Sequence, residues 1–442
     1  MADRFPPFVR KVLSTLTQAG FEAYVVGGAV RDLLMKKEVT DWDFTTNATP
    51  EQIQSLFQTT FYENEFGTVG IPYRDHIYEI TTFRTERGYK DRRHPEHVSW
   101  GKTLDEDLQR RDFTINAMAL DLKGDIFDPY QGQKDLHQKF IRAVGVPSER
   151  FQEDALRLMR AIRIATELAF TIEEKTFQAV KKNAHLINEI AKERVRDELI
   201  KIVRTRHAAD GFQFLYNTGL LEHIIPEIMK GYGLEQSGHH TTDVWTHSLM
   251  SLKYCPSKDP VVRFATFLHD IGKPITARGE RKNVTFHNHE VVGNTLVKQI
   301  MERLRFPKKD VEKASLLIRW HMFTVDEHIT DAAVRRFIRR VGKENINDIM
   351  DLRIGDRLGG GCKNATSWRL RKFQRRILEV QETPLSVKDL KIDGNDVMKI
   401  LKLPPGPKVG KILEALFEEI TDDSSKNTEE YLTKRVKELG SS

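Results

Sequence analysis

Residues 24–32 read YVVGGAVRD, and residues 40–44, a few positions further on, read TDWDF. The apolar run before the two glycines predicts a short buried strand, and the residues after them begin a helix. The second stretch predicts another strand, on which Asp41 and Asp43 project from one face and Trp42 from the other. A glycine turn followed so closely by two acids on one strand predicts a site that binds a nucleoside triphosphate through phosphate and metal.

The two neighbouring carboxylates repel each other, so they require a cation or a shared proton. Oxygen ligands suit Mg²⁺, and a pair of such ions can stabilise the attacking and leaving oxygens of phosphoryl transfer. Glu79 is a candidate third acid from a neighbouring strand, and Arg31 lies where it could reach a triphosphate. The glycine turn and the helix N-terminus favour an anion. The alternative interpretation is a tight turn beside two solvated surface acids.

The composition excludes several classes of protein. The chain has 442 residues, 39% hydrophobic and 30% charged, which is enough for about three domains. No apolar run approaches the ~18 residues of a membrane span, so we expect no membrane contact. Two cysteines, Cys255 and Cys362, exclude a disulfide scaffold. These features, with an N-terminus unlike a signal peptide, favour a cytoplasmic protein. The net charge of +6 permits an anionic partner without requiring one.

Residues 151–165 predict a helix that reads a nucleobase. Asp154 and Arg157 are three positions apart and can present together on such a helix, with Arg160 further round and Arg163 nearly opposite Asp154. A carboxylate accepts from the exocyclic amine of cytosine or adenine, while a guanidinium donates to the neighbouring ring nitrogen. Uracil and guanine would leave buried polar groups unpaired, at about 1–3 kcal/mol each. An ordinary surface ion pair is the alternative.

In order and spacing, these motifs resemble those of class II tRNA nucleotidyltransferases, the CCA-adding enzymes of the polymerase-β-like superfamily. The resembling stretches are residues 25–34, 40–44, 82–84, 110–119, 127–132 and 153–165. The resemblance implies that Asp41 and Asp43 are catalytic and hold two Mg²⁺. It also implies a set of nucleotide-binding residues: Gly28, Arg31, Arg111, Asp154, Arg157, Arg160 and Arg163.

The activity implied by this resemblance is template-independent addition of the 3′-terminal CCA to tRNA, with release of pyrophosphate. The expected partners are therefore tRNA, CTP and ATP. Enzymes that add only the terminal A, and bacterial poly(A) polymerases, share this head and remain alternatives. Residues 84–103 resemble the family's flexible loop at full length, which favours addition of the terminal A. The mixed charge of residues 422–442 counts against a poly(A) polymerase.

A second group of motifs follows in the later part of the chain. Residues 268–274, LHDIGKP, resemble the core motif of HD-domain phosphohydrolases. The candidate metal ligands, in that family's order, are His247, His269, Asp270, His289, His321 and Asp356. Imidazoles and carboxylates brought together by neighbouring helices suit a divalent transition metal. His287 is an alternative ligand to His289, and Lys273 a candidate phosphate contact.

Two interpretations of this second group remain open. In one, the main activity is metal-dependent hydrolysis and the head is an RNA-binding module. In the other, the helical body only holds tRNA and its histidines are packed or solvated.

The basic run at residues 368–376, with Trp368 and Phe373 interleaved, predicts a surface that follows RNA phosphates.

We therefore expect an α+β chain. A polymerase-β-like head with a small mixed sheet is followed by an all-helical neck, an HD-like body and a tail. The expected domains are a catalytic head over residues 1–145, a neck for base selection and tRNA binding over 146–228, a body over 229–360 and a tail for the tRNA elbow over 361–442. The sequence makes no prediction of oligomeric state.

Overall fold

The computed structural model describes residues 2–63, 67–89, 95–101, 103–236, 242–279, 283–323, 325, 329–380 and 387–440. The chain divides into two compact units, Met1–Met229 and Lys230–Ser442, which we call the first and second units. This division lies within one residue of the predicted boundary between neck and body. Within the described ranges, no helix combines the length and apolarity needed to cross a bilayer.

The first unit opens with a mixed sheet, as the sequence predicts. The strands of the unit are β1 Ala23–Val26, β2 Asp43–Thr46, β3 Phe61–Glu63, β4 Thr68–Tyr73, β5 His76–Thr82, β6 Arg84–Tyr89, β7 Pro95–Trp100, β8 Ala119–Leu120, β9 Ile126–Phe127, β10 Phe140–Ile141 and β11 Thr171–Ile172. Seven of them form one sheet in the order β3-β4-β5-β2-β1-β8-β9. Strands β2 and β5 run parallel, and the other neighbours run antiparallel.

Helices cover both faces of this sheet and continue beyond it. The helices of the first unit are α1 Pro7–Gln18, α2 Gly28–Leu34, α3 Pro50–Leu56, α4 Leu104–Gln109, α5 Gly132–Gln138, α6 Pro147–Glu153, α7 Leu156–Leu168, α8 Glu174–Asn183, α9 Lys192–Arg204, α10 Ala208–Asn217, α11 Leu220–Ile224 and α12 Pro226–Met229. Apolar residues of α1, α2 and α3 form the main core with Val25 and Phe44. On the opposite face, Val26 packs with Phe83 and α4. Asp43 pairs with Val26, so it projects from this second face.

The second unit is helical in its described residues, apart from an isolated bridge between Arg278 and Thr285. Its helices are α13 Val244–Tyr254, α14 Pro260–Leu268, α15 Lys273–Thr276, α16 His289–Arg303, α17 Lys308–Trp320, α18 Asp331–Val341, α19 Ile346–Gly359, α20 Trp368–Val380, α21 Gly394–Leu401, α22 Pro407–Asp422 and α23 Glu429–Gly440. The helices α21, α22 and α23 share a separate apolar core.

The structure adds detail to one prediction of local structure and contradicts two. Residues 84–103, which resemble the family's flexible loop, contain two paired strands, β6 and β7; residues 90–94 and 102 lie outside the described ranges. The predicted helix over residues 151–165 is two helices, because the backbone at Asp154 is extended, with φ −134° and ψ 102°. Phe373 is buried against Phe323 and Phe337, so it does not stack on RNA.

Candidate active site and metal centre

The turn between β1 and α2 requires glycine at one position. Gly27 has φ 72° and ψ −137°, a conformation that residues with a side chain avoid. A Cβ there would lie 3.1 Å from an Arg111 nitrogen and 3.6 Å from Asp43 Oδ2. Gly28, the predicted phosphate contact, begins α2 and lines the cavity described below. Gly27 therefore determines how closely the arginine and the acid approach the turn; it belongs to the predicted glycine turn but not to the predicted nucleotide-binding residues.

Only one member of the acid pair lies in the observed strand. β2 begins at Asp43, so Asp41 precedes it. Asp41 is exposed and Trp42 buried, which keeps the predicted alternation of faces. Burial raises the pKa of the Asp43 carboxyl, and the negative charge of Asp41 raises it further. Glu79 lies opposite Asp43 in the parallel register of β2 and β5. Asp43 and Glu79 are thus neighbours on adjacent strands inside the sheet, and their carboxylate oxygens are ligands that suit Mg²⁺.

Two arginines are held over the turn by one buried acid. Asp107 is fully buried on α4; its Oδ1 accepts from Arg110 at 2.8 Å and its Oδ2 from Arg111 at 3.2 Å. Burial opposes the ionisation of Asp107, but Arg110 and Arg111 outweigh it and lower its pKa. The Nε of Arg111 is buried and has no hydrogen-bond partner within the described ranges. Arg111 therefore keeps a donor for an incoming anion, as expected of a phosphate contact.

A second buried acid connects three other polar residues. Asp112 accepts from Arg160 at 2.5 and 2.8 Å and from Asn116 Nδ2 at 3.2 Å. Asn116 Oδ1 in turn accepts from Arg31 at 2.9 Å. Burial raises the pKa of Asp112, but the Arg160 guanidinium outweighs this effect and the balance lies at about 2. Asp112 and Asn116 were not predicted as site residues, although both lie in the quoted motif at residues 110–119.

Asp154 and Arg157 do not form the ion pair of the alternative interpretation. Asp154 lies in the break between α6 and α7, where its Oδ1 accepts from the Leu156 amide at 3.0 Å. Arg157 instead donates to Glu153 at 3.0 Å and to the carbonyl oxygens of Arg110 and Arg150. The spacing argument assumed an unbroken helix, which the extended backbone at Asp154 interrupts. Both side chains nevertheless line the same cavity.

The predicted nucleotide residues largely converge on this cavity of about 420 Å³. Its lining is Val26, Gly27, Gly28, Asp43, Phe44, Thr81, Arg84, Arg110, Arg111, Asp112, Asn116, Asp154, Leu156, Arg157, Arg160 and Arg194. Asp41, Arg31 and Arg163 do not line it. Arg163 pairs with Glu198 at 2.6 Å and with Glu167, which fits a structural role in packing α7 on α9. The cavity combines arginines with Asp43 and Asp154, a suitable lining for a nucleoside triphosphate.

A second cluster lies in the second unit and unites all six predicted metal ligands. His247 Nε2 is 3.2 Å from His269 Nε2, 3.3 Å from Asp270 Oδ2 and 3.2 Å from Asp356 Oδ1. His289 Nε2 is 3.4 Å from Asp270 Oδ1 and 3.3 Å from His321 Nε2. The ligand atoms fall into two groups that share Asp270, namely His247 with His269 and His289 with His321. His287 is exposed and belongs to neither group.

The hydrogen bonds of the histidines fit metal binding. The Nδ1 atoms of His269, His289 and His321 each lie 2.7 or 2.8 Å from a backbone carbonyl oxygen three residues earlier. These carbonyls can only accept, so each Nδ1 carries a proton, and each imidazole in its neutral form presents the Nε2 lone pair to the centre of the cluster. Metal-binding histidines are oriented in this way. The donor set of nitrogens and carboxylate oxygens fits a divalent transition metal.

The charges within the cluster are strongly coupled. Burial lowers the pKa of His269, but the Asp270 carboxylate outweighs this effect and raises that pKa to about 10. Burial and the charge of His269 lower the pKa of His321 to about 3. Burial also lowers the pKa of His289. His289 and His321 are therefore neutral near pH 7, which is the state that binds a metal.

Comparison with known proteins identifies relatives along most of the chain. The family described as poly A polymerase head domain matches residues 23–142, and the probable RNA and SrmB-binding site of polymerase A matches residues 169–231. The putative tRNA nucleotidyltransferase domain 2 matches residues 291–436.

Individual relatives agree with these matches. The CCA-adding enzyme of Lactobacillus helveticus is 47% identical over 58% of this chain and 67% of its own length. The chain spans about half the length of other Lactobacillus relatives, at 54% for that of L. johnsonii. The A-adding tRNA nucleotidyltransferase of Deinococcus radiodurans is 35% identical over 90% of this chain and 91% of its own. The Bacillus stearothermophilus CCA-adding enzyme in complex with CTP superposes with a TM-score of 0.74, at 27% identity and 98% coverage of both chains.

Proposed function

This chain belongs to the tRNA nucleotidyltransferases, and we propose that it adds the 3′-terminal CCA to tRNA from CTP and ATP, releasing pyrophosphate. The observation that carries the proposal is the single cavity lined by Asp43, Arg111, Asp154 and Arg157. It joins a carboxylate for metal, a guanidinium for phosphate and two candidate base readers. The CCA-adding and A-adding relatives both match, so addition of A alone is the nearest alternative.

Each group would contribute through its position in the cavity. Asp41 and Asp43 would hold Mg²⁺, which when bound supplies positive charge to the triphosphate. Arg111, placed over the Gly27 turn, would hold the phosphates through its remaining donors. The terminal 3′-oxygen of tRNA would attack the α-phosphate, and the bond from that phosphorus to the pyrophosphate oxygen would break.

Base selection would depend on Asp154 and Arg157. The Asp154 carboxylate would accept from the exocyclic amine of cytosine or adenine. Three of the five N–H groups of Arg157 donate within the protein, so two remain to donate to the base. Uracil and guanine would present a carbonyl oxygen to the carboxylate. The two acceptors would then face each other unpaired, which disfavours both bases.

The decisive experiment supplies three tRNAs, ending before CCA, after the first C and after the second C. Each is incubated with CTP alone, ATP alone or both. Addition of CCA predicts that all three reach full length when both nucleotides are present. If only the tRNA ending in CC is extended, the chain adds A alone. Long tracts of A would indicate a poly(A) polymerase.

Variants of the head test the site. Asp43→Asn should reduce addition at least ~1000-fold while tRNA affinity changes less than ~3-fold, because the acid contributes to chemistry and metal binding. Asp125→Asn, an exposed acid of the same unit, is the matched control and should retain full activity. Robust addition by Asp43→Asn would refute the assignment of the site.

We also propose a second function, metal-dependent hydrolysis of a phosphate ester at the histidine–aspartate cluster. It is supported by the three histidines whose Nε2 atoms converge on Asp270. Lys273 would hold phosphate nearby, since it lines the same cavity. Its Nζ lies 2.5 Å from Asp270 Oδ2. A bound metal ion would supply an activated water and polarise the ester.

Metal binding separates this function from a purely structural role. Co²⁺ titration of the full chain should give a saturating visible absorption band, together with hydrolysis of p-nitrophenyl phosphate. His289→Ala should weaken Co²⁺ binding at least tenfold, whereas His287→Ala, an exposed neighbour, should not. A wild-type chain that binds no Co²⁺ would leave the histidines as packing residues.

A further inference from the structure

The second unit contains two cavities that share part of their lining. The first, of about 460 Å³, contains the histidine–aspartate cluster. The second, of about 470 Å³, extends to the start of α20. Met322, Arg353 and Arg357 line both, so the cavities are neighbours. Neither proposed function gives the second cavity a role.

The second cavity has the lining of a nucleic-acid site. Trp368 is 52% exposed, and the Arg369 guanidinium lies 5.4 Å from the centre of its ring. The Arg353 guanidinium lies 5.5 Å from the centre of the Phe323 ring. Exposed aromatic faces stack with nucleobases, and arginines beside them pair with phosphates. A purely apolar ligand would gain nothing from so many guanidinium groups.

Arg357 supplies an independent indication of an anionic ligand. Its Nε is buried and has no hydrogen-bond partner in the part of the chain that the structure describes. A buried donor without a partner is costly, so an acceptor is expected from outside the protein. Because Arg357 lines both cavities, that acceptor would lie at their junction.

Positive charge continues from this junction to the cluster. Arg353 donates to Asp356 Oδ2 at 3.1 Å, and the other oxygen of Asp356 lies 3.2 Å from His247. Lys273 lines the cavity of the cluster, where its Nζ lies 2.5 Å from Asp270 Oδ2 and 5.5 Å from the centre of the Phe286 ring. Basic side chains thus line the two cavities from the metal-binding residues towards Trp368.

We infer that the two cavities form one site for the phosphorylated end of a single-stranded RNA. The terminal phosphate lies at the cluster, the next phosphate at Arg357, and a base stacks on Trp368. This inference rests on the proposed hydrolase function and names the substrate class of that site. Each cavity alone has the size of a small-ligand site, so together they accommodate more than one nucleotide.

The experiment measures the affinity of the full chain for an RNA hexamer that ends in a 3′-phosphate and carries 4-thiouridine as its last base. Inorganic phosphate, 3′-AMP and the hexamer ending in a 3′-hydroxyl are the comparison ligands. Photo-crosslinking then locates the terminal base. Trp368→Ala and Arg357→Gln are the test variants. Leu378→Ala, an exposed position on the same α20 helix as Trp368, is the matched control.

We expect Trp368→Ala to weaken binding of the phosphorylated hexamer about 5- to 100-fold and that of inorganic phosphate less than ~2-fold. Arg357→Gln should weaken binding of the phosphorylated hexamer but not of 3′-AMP, which has no second phosphate, and the control variant should change neither. Crosslinks should map to Met322 or Trp368. Crosslinks confined to the first unit, or an unchanged affinity in Trp368→Ala, would overturn the inference. If 3′-AMP binds as tightly as the hexamer, the ligand is a mononucleotide and the strand assignment is wrong.

All affinities are measured with and without Co²⁺, which separates this inference from the function on which it rests. If Co²⁺ never changes affinity for the phosphorylated hexamer, the proposed hydrolase function fails. The Trp368 dependence is expected in both conditions, because stacking needs no metal. If Trp368→Ala binds the phosphorylated hexamer as tightly as wild type with and without Co²⁺, the second cavity is not an RNA site, whether or not Co²⁺ changes the affinity.

Discussion

Neutralising Asp112 should destabilise the first unit and release Arg160 from its position at the cavity. Asp112 is 8% exposed and accepts two hydrogen bonds from Arg160, so its charge is almost fully withdrawn from water. A carboxyl whose pKa falls from 3.8 to about 2 is stabilised by the fold in its ionised form. One pKa unit corresponds to about 1.4 kcal/mol, so this pKa shift contributes about 2–3 kcal/mol to the free energy of unfolding at neutral pH. Asp112→Asn removes that contribution and leaves Arg160 without its carboxylate.

The sign of the pH dependence follows from the lowered pKa. The contribution is complete above about pH 5, where Asp112 would be ionised in both the folded and unfolded chains. It is lost as the pH falls through 3.8 towards 2, because the unfolded chain then binds a proton first. About half of the free-energy difference between wild type and variant should remain at pH 3.

Hydrogen–deuterium exchange measures this difference in one unit of a two-unit chain. The slowest amides of peptides covering residues 108–120 should exchange about 30- to 150-fold faster in Asp112→Asn than in wild type, equally at pH 5.5 and pH 7.5. Peptides from α14 in the second unit serve as the internal reference, and Asp125→Asn as the control variant. An acceleration below ~3-fold would show that the charge of Asp112 contributes little to stability.

Three further predictions concern the turn, base selection and metal binding. Gly27→Ala should lower the free energy of unfolding by about 1–3 kcal/mol, measured by thermal unfolding, and raise KM for both nucleotides, measured from initial rates. Gly20 also has a positive φ, but a Cβ there would meet open space, so Gly20→Ala is the control. An equal rise in KM in Gly20→Ala would refute the contact with Arg111. Asp154→Ala should reduce the preference for CTP over UTP about 10- to 100-fold in single-turnover addition, and an unchanged preference would exclude it as a base reader. Adding EDTA should abolish addition and Mg²⁺ should restore it; activity that survives full chelation would contradict metal binding at the acid pair.

The sequence by itself predicted the chemistry that we propose for both sites. Two acids separated by one residue, placed after a glycine turn, predict oxygen ligands and a phosphate-binding turn wherever the strands lie. The adjacent His269 and Asp270, followed by further histidines, likewise predict a metal cluster. The alternation of side chains along an extended chain also predicted that Asp41 and Asp43 share a face. These inferences depend on residue type and local geometry, which are contained in the sequence.

Only the tertiary structure decided which groups pair. Arg157 bonds to Glu153 because an extended residue interrupts the helix, a feature that local spacing does not reveal. Arg160 is held by Asp112, 48 residues away in sequence. Asp270 joins two pairs of histidines that arrive on separate helices, so the shape of the cluster depends on how those helices pack. Contacts between distant residues are determined by packing, and packing is a property of the folded chain as a whole.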